Sequence, residues 1–220
     1  MRSPDISYSA NHPRYFQSAF ERLGGSVLQE LSFKIGGGDF SAQVTKIKAM
    51  QPQPDMIYTP MFMPDTPVFM KQLRAAGVEV PVVSTDGNDT PDILQAGAGT
   101  LEGLTFGTFG YPTPGSDLEK FNAKYAAATG KAPDTVLYSV GYDIGLILKA
   151  ALAKTGGKGG QTLRDTIANM SGLKLTTTDN FVMDPETRRA KRGTTMVRIV
   201  NGKFTFVTNL PYPSWVPAVL

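Results

Sequence analysis

The first half of the chain alternates short β-rich runs with stretches whose apolar residues recur at helical spacing. Four runs predict strands, because β-branched and aromatic residues are frequent in each and turn-forming residues lie at their ends: Ser26–Ile35, Asp55–Thr59, Val80–Ser84 and Leu104–Phe109. Helices are predicted before and between these strands, at 15–23, 41–49, 66–76 and from Thr90-Pro91 onward. We expect Asp39 or Ser41 to cap the helix at 41–49, and Thr90 to cap the helix that starts at Pro91. Repeated βα units of this kind predict a parallel sheet covered by helices on both faces.

The first predicted helix has no strand before it. Only seven residues precede Tyr8, and Pro4 is one of them. Because a doubly wound α/β lobe normally opens on a strand, we expect the chain to begin inside a domain.

The second half begins after the turn Pro112–Gly115 and no longer shows the regular alternation of predicted strands and helices. Ser116 and Glu119 are spaced as a capping box, which predicts the start of a helix. The remaining predicted elements are a long helix at Tyr138–Lys154, a helix at Gln161–Met170, β structure over Phe181–Val207 with a hairpin turn at Asn201-Gly202, and an irregular tail at Leu210–Leu220.

Composition excludes several kinds of chemistry. The 220 residues carry a net charge of only +3, and they include one histidine and no cysteine. Disulfides, thiolate metal sites and cysteine nucleophiles are therefore excluded, and His12 alone cannot form a metal site. The basic run Arg188–Arg192 follows acidic residues and is typical of a solvated turn rather than of a nucleic-acid surface. We expect no metal, no cofactor and no nucleic-acid partner.

Targeting and catalytic signals are also missing from the sequence. It has no apolar signal-peptide region near Met1 and no run of about 18 apolar residues that would span a membrane. There is no nucleophile elbow, phosphate loop or His-Glu-x-x-His motif. Acid pairs such as Asp86 and Asp89 have no accompanying nucleophile or base, so no residue is predicted to be catalytic and an enzyme is not expected.

Asp86 is the most informative polar residue. It follows the apolar run Val82-Val83-Ser84-Thr85 and precedes Gly87, so the pattern predicts a carboxylate at the carboxyl end of a buried parallel strand. Ligands of open α/β sheets bind at that edge, and a carboxylate there can hold a ligand ammonium by charge-assisted hydrogen bonds. The alternative is a loop aspartate that caps the helix starting near Thr90.

The order and spacing of several short segments resemble one family, the type I periplasmic binding proteins of branched-chain amino acid ABC importers. The segments that carry the resemblance are Tyr8-Ser9, Phe20–Gly25, Asp39–Lys48, Pro54-Asp55, Lys71–Gly77, Ser84–Gly87, Leu101–Leu104, Phe121–Tyr125, Tyr142-Asp143 and Asp184–Thr187. The resemblance implies a fold of two α/β lobes that close on a ligand. It assigns 1–111 to the C-terminal lobe without its first strand, 112–191 to a return segment of the N-terminal lobe, and 192–220 to a segment that crosses back. Most of the N-terminal lobe would then be absent.

The same resemblance implies a ligand site. Tyr8 and Phe62 correspond to pocket aromatics, and Asp86 to the acid that takes the α-ammonium group of an amino acid. Ser9, Ser84 and Phe109 are further candidates by adjacency alone. An aromatic after a strand, such as Phe62, is otherwise more often a packing residue, and Tyr8 is close to the chain terminus. The groups that bind the ligand carboxylate in this family belong to the N-terminal lobe.

The function that the resemblance implies is solute capture for an ABC importer. The ligand would be a branched-chain amino acid or an amide-like compound, and the partners would be ABC permease and ATPase subunits. The family implies a periplasmic or extracellular location. The alternative is a ligand-sensing domain of an amide- or amino-acid-responsive regulator or receptor, because the same fold serves that role.

Overall fold

The computed structural model of the protein describes residues 1–216. Helices and strands alternate in its first half, and helices dominate the middle of the chain. The helices are α1 (Ser7–Arg22), α2 (Ser41–Ala49), α3 (Asp65–Ala75), α4 (Asp92–Ala96), α5 (Asp117–Thr129), α6 (Leu137–Thr155) and α7 (Gly160–Ala168). The strands are β1 (Ile57–Tyr58), β2 (Val82–Ser84), β3 (Thr105–Thr108), β4 (Ser171–Leu173), β5 (Phe181–Val182), β6 (Thr194–Val200) and β7 (Lys203–Leu210).

The chain divides into two compact units. The first, which we call the sheet unit, comprises Met1–Gly107, Met196–Val207 and the described residues from Pro213 onward. The second, the helical unit, comprises Thr108–Thr195 and Thr208–Tyr212. Each unit has its own buried apolar residues, as a separate hydrophobic core requires.

The sheet unit is built on a five-stranded sheet with the order β1-β2-β3-β6-β7. Its first three strands are parallel, with Ile57 opposite Val82 and Val83 opposite Thr105. This confirms the α/β architecture with parallel strands that the repeated βα pattern predicts. The side chains most completely buried in this unit are mainly aromatic and aliphatic: Phe40, Phe69, Phe106, Met61, Met70, Leu73, Ile93, Leu104, Ile199, Val82 and Val197.

The predicted strand Ser26–Ile35 is wrong as an extended element. Its pairing is confined to one parallel bridge between Arg2 and Ser32. The bridge does not continue beyond Arg2, because the backbone N–H of Ser3 bonds to Ser9 at 3.3 Å and Pro4 has no N–H to donate. Apolar and polar residues do alternate in this segment, but a strand also needs a neighbouring strand with which to form its hydrogen bonds.

Two of the predicted helix caps are also wrong. No side chain caps α2 or α4: their N-cap residues are Phe40 and Pro91. Asp39 instead accepts a hydrogen bond from the backbone of Ser41 at 2.9 Å, which closes a local turn ahead of α2. The hairpin turn at Asn201-Gly202 is confirmed, since both residues have positive φ between β6 and β7.

The helical unit contains α5, α6, α7 and the antiparallel pair β4–β5. Ser116 caps α5 as predicted, accepting from the backbone N–H of Glu119 at 3.1 Å. The Glu119 carboxylate accepts from Gly115 N–H rather than from Ser116, so the capping box is shifted by one residue. One core cluster packs Ala151 of α6 against Met170, Leu175 and Phe181.

Candidate functional site

The carboxyl end of β2 is held in place by a buried polar network. The Ser84 hydroxyl donates to the carbonyl of Thr59 at 2.7 Å, and the Asn88 amide donates to Ser84 Oγ at 2.7 Å and to the Met61 carbonyl at 3.0 Å. These bonds tie the strand end to the loop after β1, and they fold Asp86–Asn88 into a single 3₁₀ turn. Ser84, a weaker site candidate, therefore has a structural role inside the sheet unit.

Tyr8 and Asp86 meet at this edge, although 78 positions separate them along the chain. Tyr8 lies in the first turn of α1, and its hydroxyl donates to Asp86 Oδ1 at 2.9 Å. The same hydroxyl lies 2.5 Å from Thr85 Oγ1 and accepts from the backbone N–H of Gly87 at 3.3 Å. The phenol thus joins the start of a helix to the end of a strand through three polar contacts.

Phe62 adds an aromatic wall to this cluster. Its ring packs edge-on against Tyr8, with 6.1 Å between the ring centroids. A Cβ atom at Gly87 would lie 2.7 Å from the Cβ atom of Phe62 and 3.4 Å from the Tyr8 hydroxyl. Glycine at position 87 therefore allows the turn that carries Asp86 to approach both aromatic residues closely.

Burial and charge set the ionisation of the surrounding groups. Burial, together with the nearby Asp86 carboxylate, raises the pKa of Tyr8 to about 12, so the phenol keeps its proton at neutral pH. The ring of His12 lies 4.3 Å from that of Tyr8, centroid to centroid. Burial lowers the pKa of His12, although Asp86 opposes the shift, and the imidazole is therefore neutral at pH 7.

Asp86 is only partly satisfied by these contacts. Within residues 1–216, its Oδ1 atom accepts from Tyr8, whereas its Oδ2 atom has no hydrogen-bond partner and forms no ion pair. The residue is neither fully buried nor fully exposed. An aspartate in this state offers a half-desolvated acceptor beside two aromatic rings, which suits a small cation with apolar substituents.

The other two candidates lie in different surroundings. Ser9 follows Tyr8 in α1 and is fully buried, and its hydroxyl has no hydrogen-bond partner within the described chain. Phe109 belongs to the helical unit, where it packs against the cluster of Leu118, Phe121 and Val136. The guanidinium of Arg192 lies over the Phe109 ring at 5.0 Å.

The fold therefore brings together Tyr8, Phe62 and Asp86 of the predicted set. Thr85 and His12 belong to the same cluster, although the sequence analysis did not name either as a site residue. Thr85 adjoins Asp86 at the end of the strand, so its position was a usable signal. His12 lies one helical turn after Tyr8, and the i, i+4 spacing along a helix places two such rings on one face.

Residues 1–216 contain no group of three histidine, cysteine, aspartate or glutamate side chains that could hold a metal ion. No helix in this range has both the length and the apolar character needed to cross a membrane.

Comparison with known proteins identifies the family. The model of the periplasmic binding protein family matches residues 3–203. The leucine-binding protein LivK of Thermotoga maritima has 26% sequence identity and superposes with a TM-score of 0.85 over 96% of this chain. This chain spans 59% of the length of LivK. Comparison with curated protein sequences finds no match.

Two more distant structures share the fold alone. LivJ, the branched-chain amino acid transporter substrate-binding protein of Streptococcus pneumoniae in complex with isoleucine, is 19% identical. It superposes with a TM-score of 0.77 over 94% of this chain and 58% of its own. A solute-binding protein of an ABC transporter from R. palustris in complex with benzoate is 18% identical, with a TM-score of 0.75 over 93% of this chain and 57% of its own. The relatives named above are solute-binding proteins and not enzymes. Because the family model matches most of the sequence, this chain belongs to the periplasmic binding protein family.

Proposed function

We propose that this chain is part of the solute-binding subunit of an ABC importer and that it binds the ammonium group of an amino acid. The observation that carries the proposal is the cluster at the end of β2, where Asp86 accepts from Tyr8 at 2.9 Å beside Phe62. The free Oδ2 atom of Asp86 is the acceptor for the ligand nitrogen. Tyr8 orients the carboxylate, and the two rings contact the apolar part of the ligand.

The charge of the cluster supports a ligand with a cationic nitrogen. A carboxylate in a partly desolvated cleft repels a second carboxylate, so an anionic ligand such as benzoate is disfavoured at Asp86. His12 does not offset this charge, because its lowered pKa leaves the imidazole neutral at pH 7. Among the similar structures, a leucine-binding protein and an isoleucine complex agree with an amino acid ligand better than the benzoate complex does.

The length of the relatives supports the remainder of the proposed mechanism, since this chain spans 59% of LivK. We assign 1–111 to the C-terminal lobe, 112–191 to a return segment of the N-terminal lobe and 192–220 to a segment that crosses back. In the complete protein, the ligand carboxylate is bound by the other lobe, and closure of the lobes precedes delivery to a permease driven by ATPase subunits. The location is then the periplasm or the outer face of the cell.

The test is isothermal titration calorimetry of the full-length protein with leucine, isoleucine, valine and benzoate. Binding of at least one of the amino acids, with no detectable heat from benzoate, is the expected result. Tight binding of benzoate with none of the amino acids would overturn the assignment of Asp86. Uptake of the same ligand by vesicles that contain the permease and ATPase then separates an importer subunit from a sensor.

A further inference from the structure

The helical unit contains a polar cavity whose lining includes no residue of the Asp86 cluster. Its volume is about 510 Å³, which is within the range of small-molecule sites. The lining residues come from four stretches of the chain, within 109–120, 174–179, 192–195 and 209–210. All four stretches belong to the helical unit, so this unit forms the cavity by itself.

The charged side chains in this cavity do not balance. Three of them are cationic and two are acidic, and both acids are already paired with lysine. Asp117 lies 2.7 Å from the ammonium group of Lys174 and 3.2 Å from that of Lys120. Asp179 lies 3.9 Å from the same ammonium group of Lys174. Arg192 forms no ion pair within residues 1–216, and the cavity therefore carries one unpaired cation.

The guanidinium group of Arg192 is held in place but is only partly hydrogen-bonded. Its Nη2 atom donates to the carbonyl of Phe109 at 2.7 Å and to that of Thr177 at 3.4 Å. The Phe109 ring lies 5.0 Å from the guanidinium carbon. The Nε atom is buried without a hydrogen-bond partner, and Nη1 forms no bond within the described part of the chain. The group therefore has N–H donors left for a ligand.

The electrostatic surroundings of Arg192 also favour an anion. Burial lowers the pKa of Arg192, although Asp143 opposes the shift. Asp143 forms no ion pair with this residue, and both of its oxygens already accept hydrogen bonds from Thr176 and Thr177. Because a guanidinium keeps its proton at neutral pH, the partly buried charge lacks a full counterion. An anion in the cavity would supply one.

Neutral hydrogen-bond donors line the same cavity. The hydroxyl groups of Thr113 and Thr194 have no hydrogen-bond partner within residues 1–216. The side-chain oxygen of Asn209 accepts from the Thr195 hydroxyl at 2.8 Å, which leaves the amide N–H groups of Asn209 for another acceptor. A cation among hydroxyl and amide donors suits an oxyanion, because an oxyanion accepts several hydrogen bonds at once.

We propose that this cavity binds a small molecule that carries an oxyanion group, either a carboxylate or a phosphate. Nη1 of Arg192 is the charged donor to the oxyanion. Thr113, Thr194 and Asn209 provide the neutral donors. Asp86 favours a cationic nitrogen, whereas this cavity selects the opposite charge, so the inference does not rest on the proposed function.

The experiment is isothermal titration calorimetry of the full-length protein with inorganic phosphate and with acetate, at pH 7, at constant ionic strength and without amino acid. Saturable binding of at least one probe is expected, and the tighter probe identifies the oxyanion. Arg192→Gln should weaken this binding at least tenfold. Arg188→Gln is the matched control, because it removes the same charge from an exposed arginine of the same unit. The control should change the affinity by less than twofold.

A second variant tests the cavity without removing a bond that holds the fold. Arg192→Gln loses the contacts of Nη2 with two carbonyls and can therefore impair folding. Thr194→Val removes one hydroxyl at an exposed position at the start of β6, where valine favours the strand. This variant should fold normally and should weaken binding of the same probe about threefold.

Three results would overturn the proposal. The absence of saturable heat from both probes would show that the cavity does not select oxyanions. Equal losses in Arg192→Gln and Arg188→Gln would reduce the effect to the overall charge of the protein. Unchanged affinity in Thr194→Val would place the bound anion elsewhere, and this result decides the matter if Arg192→Gln does not fold. The titrations contain no amino acid, so the proposed function is tested separately.

Discussion

Asp86 in the sheet unit and Asp143 in the helical unit are aspartates in opposite states. Asp143 is 4% exposed and accepts four hydrogen bonds, from the backbone N–H and hydroxyl groups of Thr176 and Thr177, at 2.6 to 3.1 Å. Asp86 accepts one, from Tyr8 at 2.9 Å, and its second oxygen has no partner within residues 1–216. Asp86 follows an apolar run and Asp143 lies within one, so the neighbouring sequence does not tell a ligand-binding aspartate from a structural one.

The difference shows how hydrogen-bond saturation separates structural carboxylates from binding ones. Asp143 joins the middle of α6 to the segment after β4, and its donors fill both oxygens, so no acceptor remains for a ligand. Asp86 is held in orientation by one phenol and keeps an open oxygen, which is the state that a ligand ammonium requires. The Met1 amine is a second incompletely satisfied group in the sheet unit, with one acceptor in a buried position.

Removing the saturated carboxylate should have the largest effect. Asp143→Ala should lower the free energy of unfolding by about 3 kcal/mol, because four donors lose a charged acceptor at a buried site. Urea denaturation followed by circular dichroism measures the change. Asp179→Ala is the matched control, since that side chain is 91% exposed and should change the stability by less than about 0.5 kcal/mol. Equal effects of the two variants would contradict the structural role of Asp143.

The Met1 amine should make stability depend on pH. Its pKa is about 6 in the folded chain and 8.0 in the unfolded chain, so the unfolded chain binds more protons between these values. The free energy of unfolding should therefore rise by about 2 kcal/mol from pH 6 to pH 8 and level off outside that window. Denaturant midpoints across this range measure the rise.

Acetylation of the N-terminus should abolish the rise between pH 6 and pH 8. The lowered pKa of His12 contributes a separate dependence below pH 6.5, and His12→Asn removes that contribution alone. If the rise persisted in the acetylated chain, the Met1 amine would not be its source.

Removing the open carboxylate should change binding rather than stability. In the full-length protein, Asp86→Ala should weaken amino acid binding by at least tenfold, or about 1.4 kcal/mol, with the free energy of unfolding nearly unchanged. Calorimetric titration with the best amino acid ligand measures the affinity. Asp92→Asn, an exposed acid at the start of α4, is the control and should bind normally. Unchanged affinity of the Asp86 variant would remove its assigned role.

Tyr8→Phe should have the smallest effect of the series. The ring remains to contact Phe62, but Asp86 loses the donor that orients it and Gly87 N–H loses its acceptor. We expect affinity to fall about fivefold, or about 1 kcal/mol. A loss as large as that of Asp86→Ala would indicate that Tyr8 contacts the ligand directly rather than through the carboxylate.

Much of the sheet unit could be predicted from local patterns. The β-rich runs at 55–59, 80–84 and 104–109 contain β1, β2 and β3, and Asn201-Gly202 forms the predicted hairpin turn. The segment Ser26–Ile35 has a comparable pattern but forms only one bridge, because strand formation depends on a partner outside the segment. Strand β4 was not predicted, since Ser171–Leu173 is too short and too polar to give a periodic signal.

The sequence by itself determined the α/β architecture, the parallel direction of its first three strands and the position of an acid at a strand end. These follow from the period of apolar residues and from turn chemistry, both of which act over a few neighbouring positions. Only the tertiary structure decided that Tyr8 would reach Asp86, that Thr85 and His12 would join them, and that Asp143 would be saturated. Contacts of this kind join residues far apart in the chain, and they depend on how helices and strands pack rather than on any local pattern.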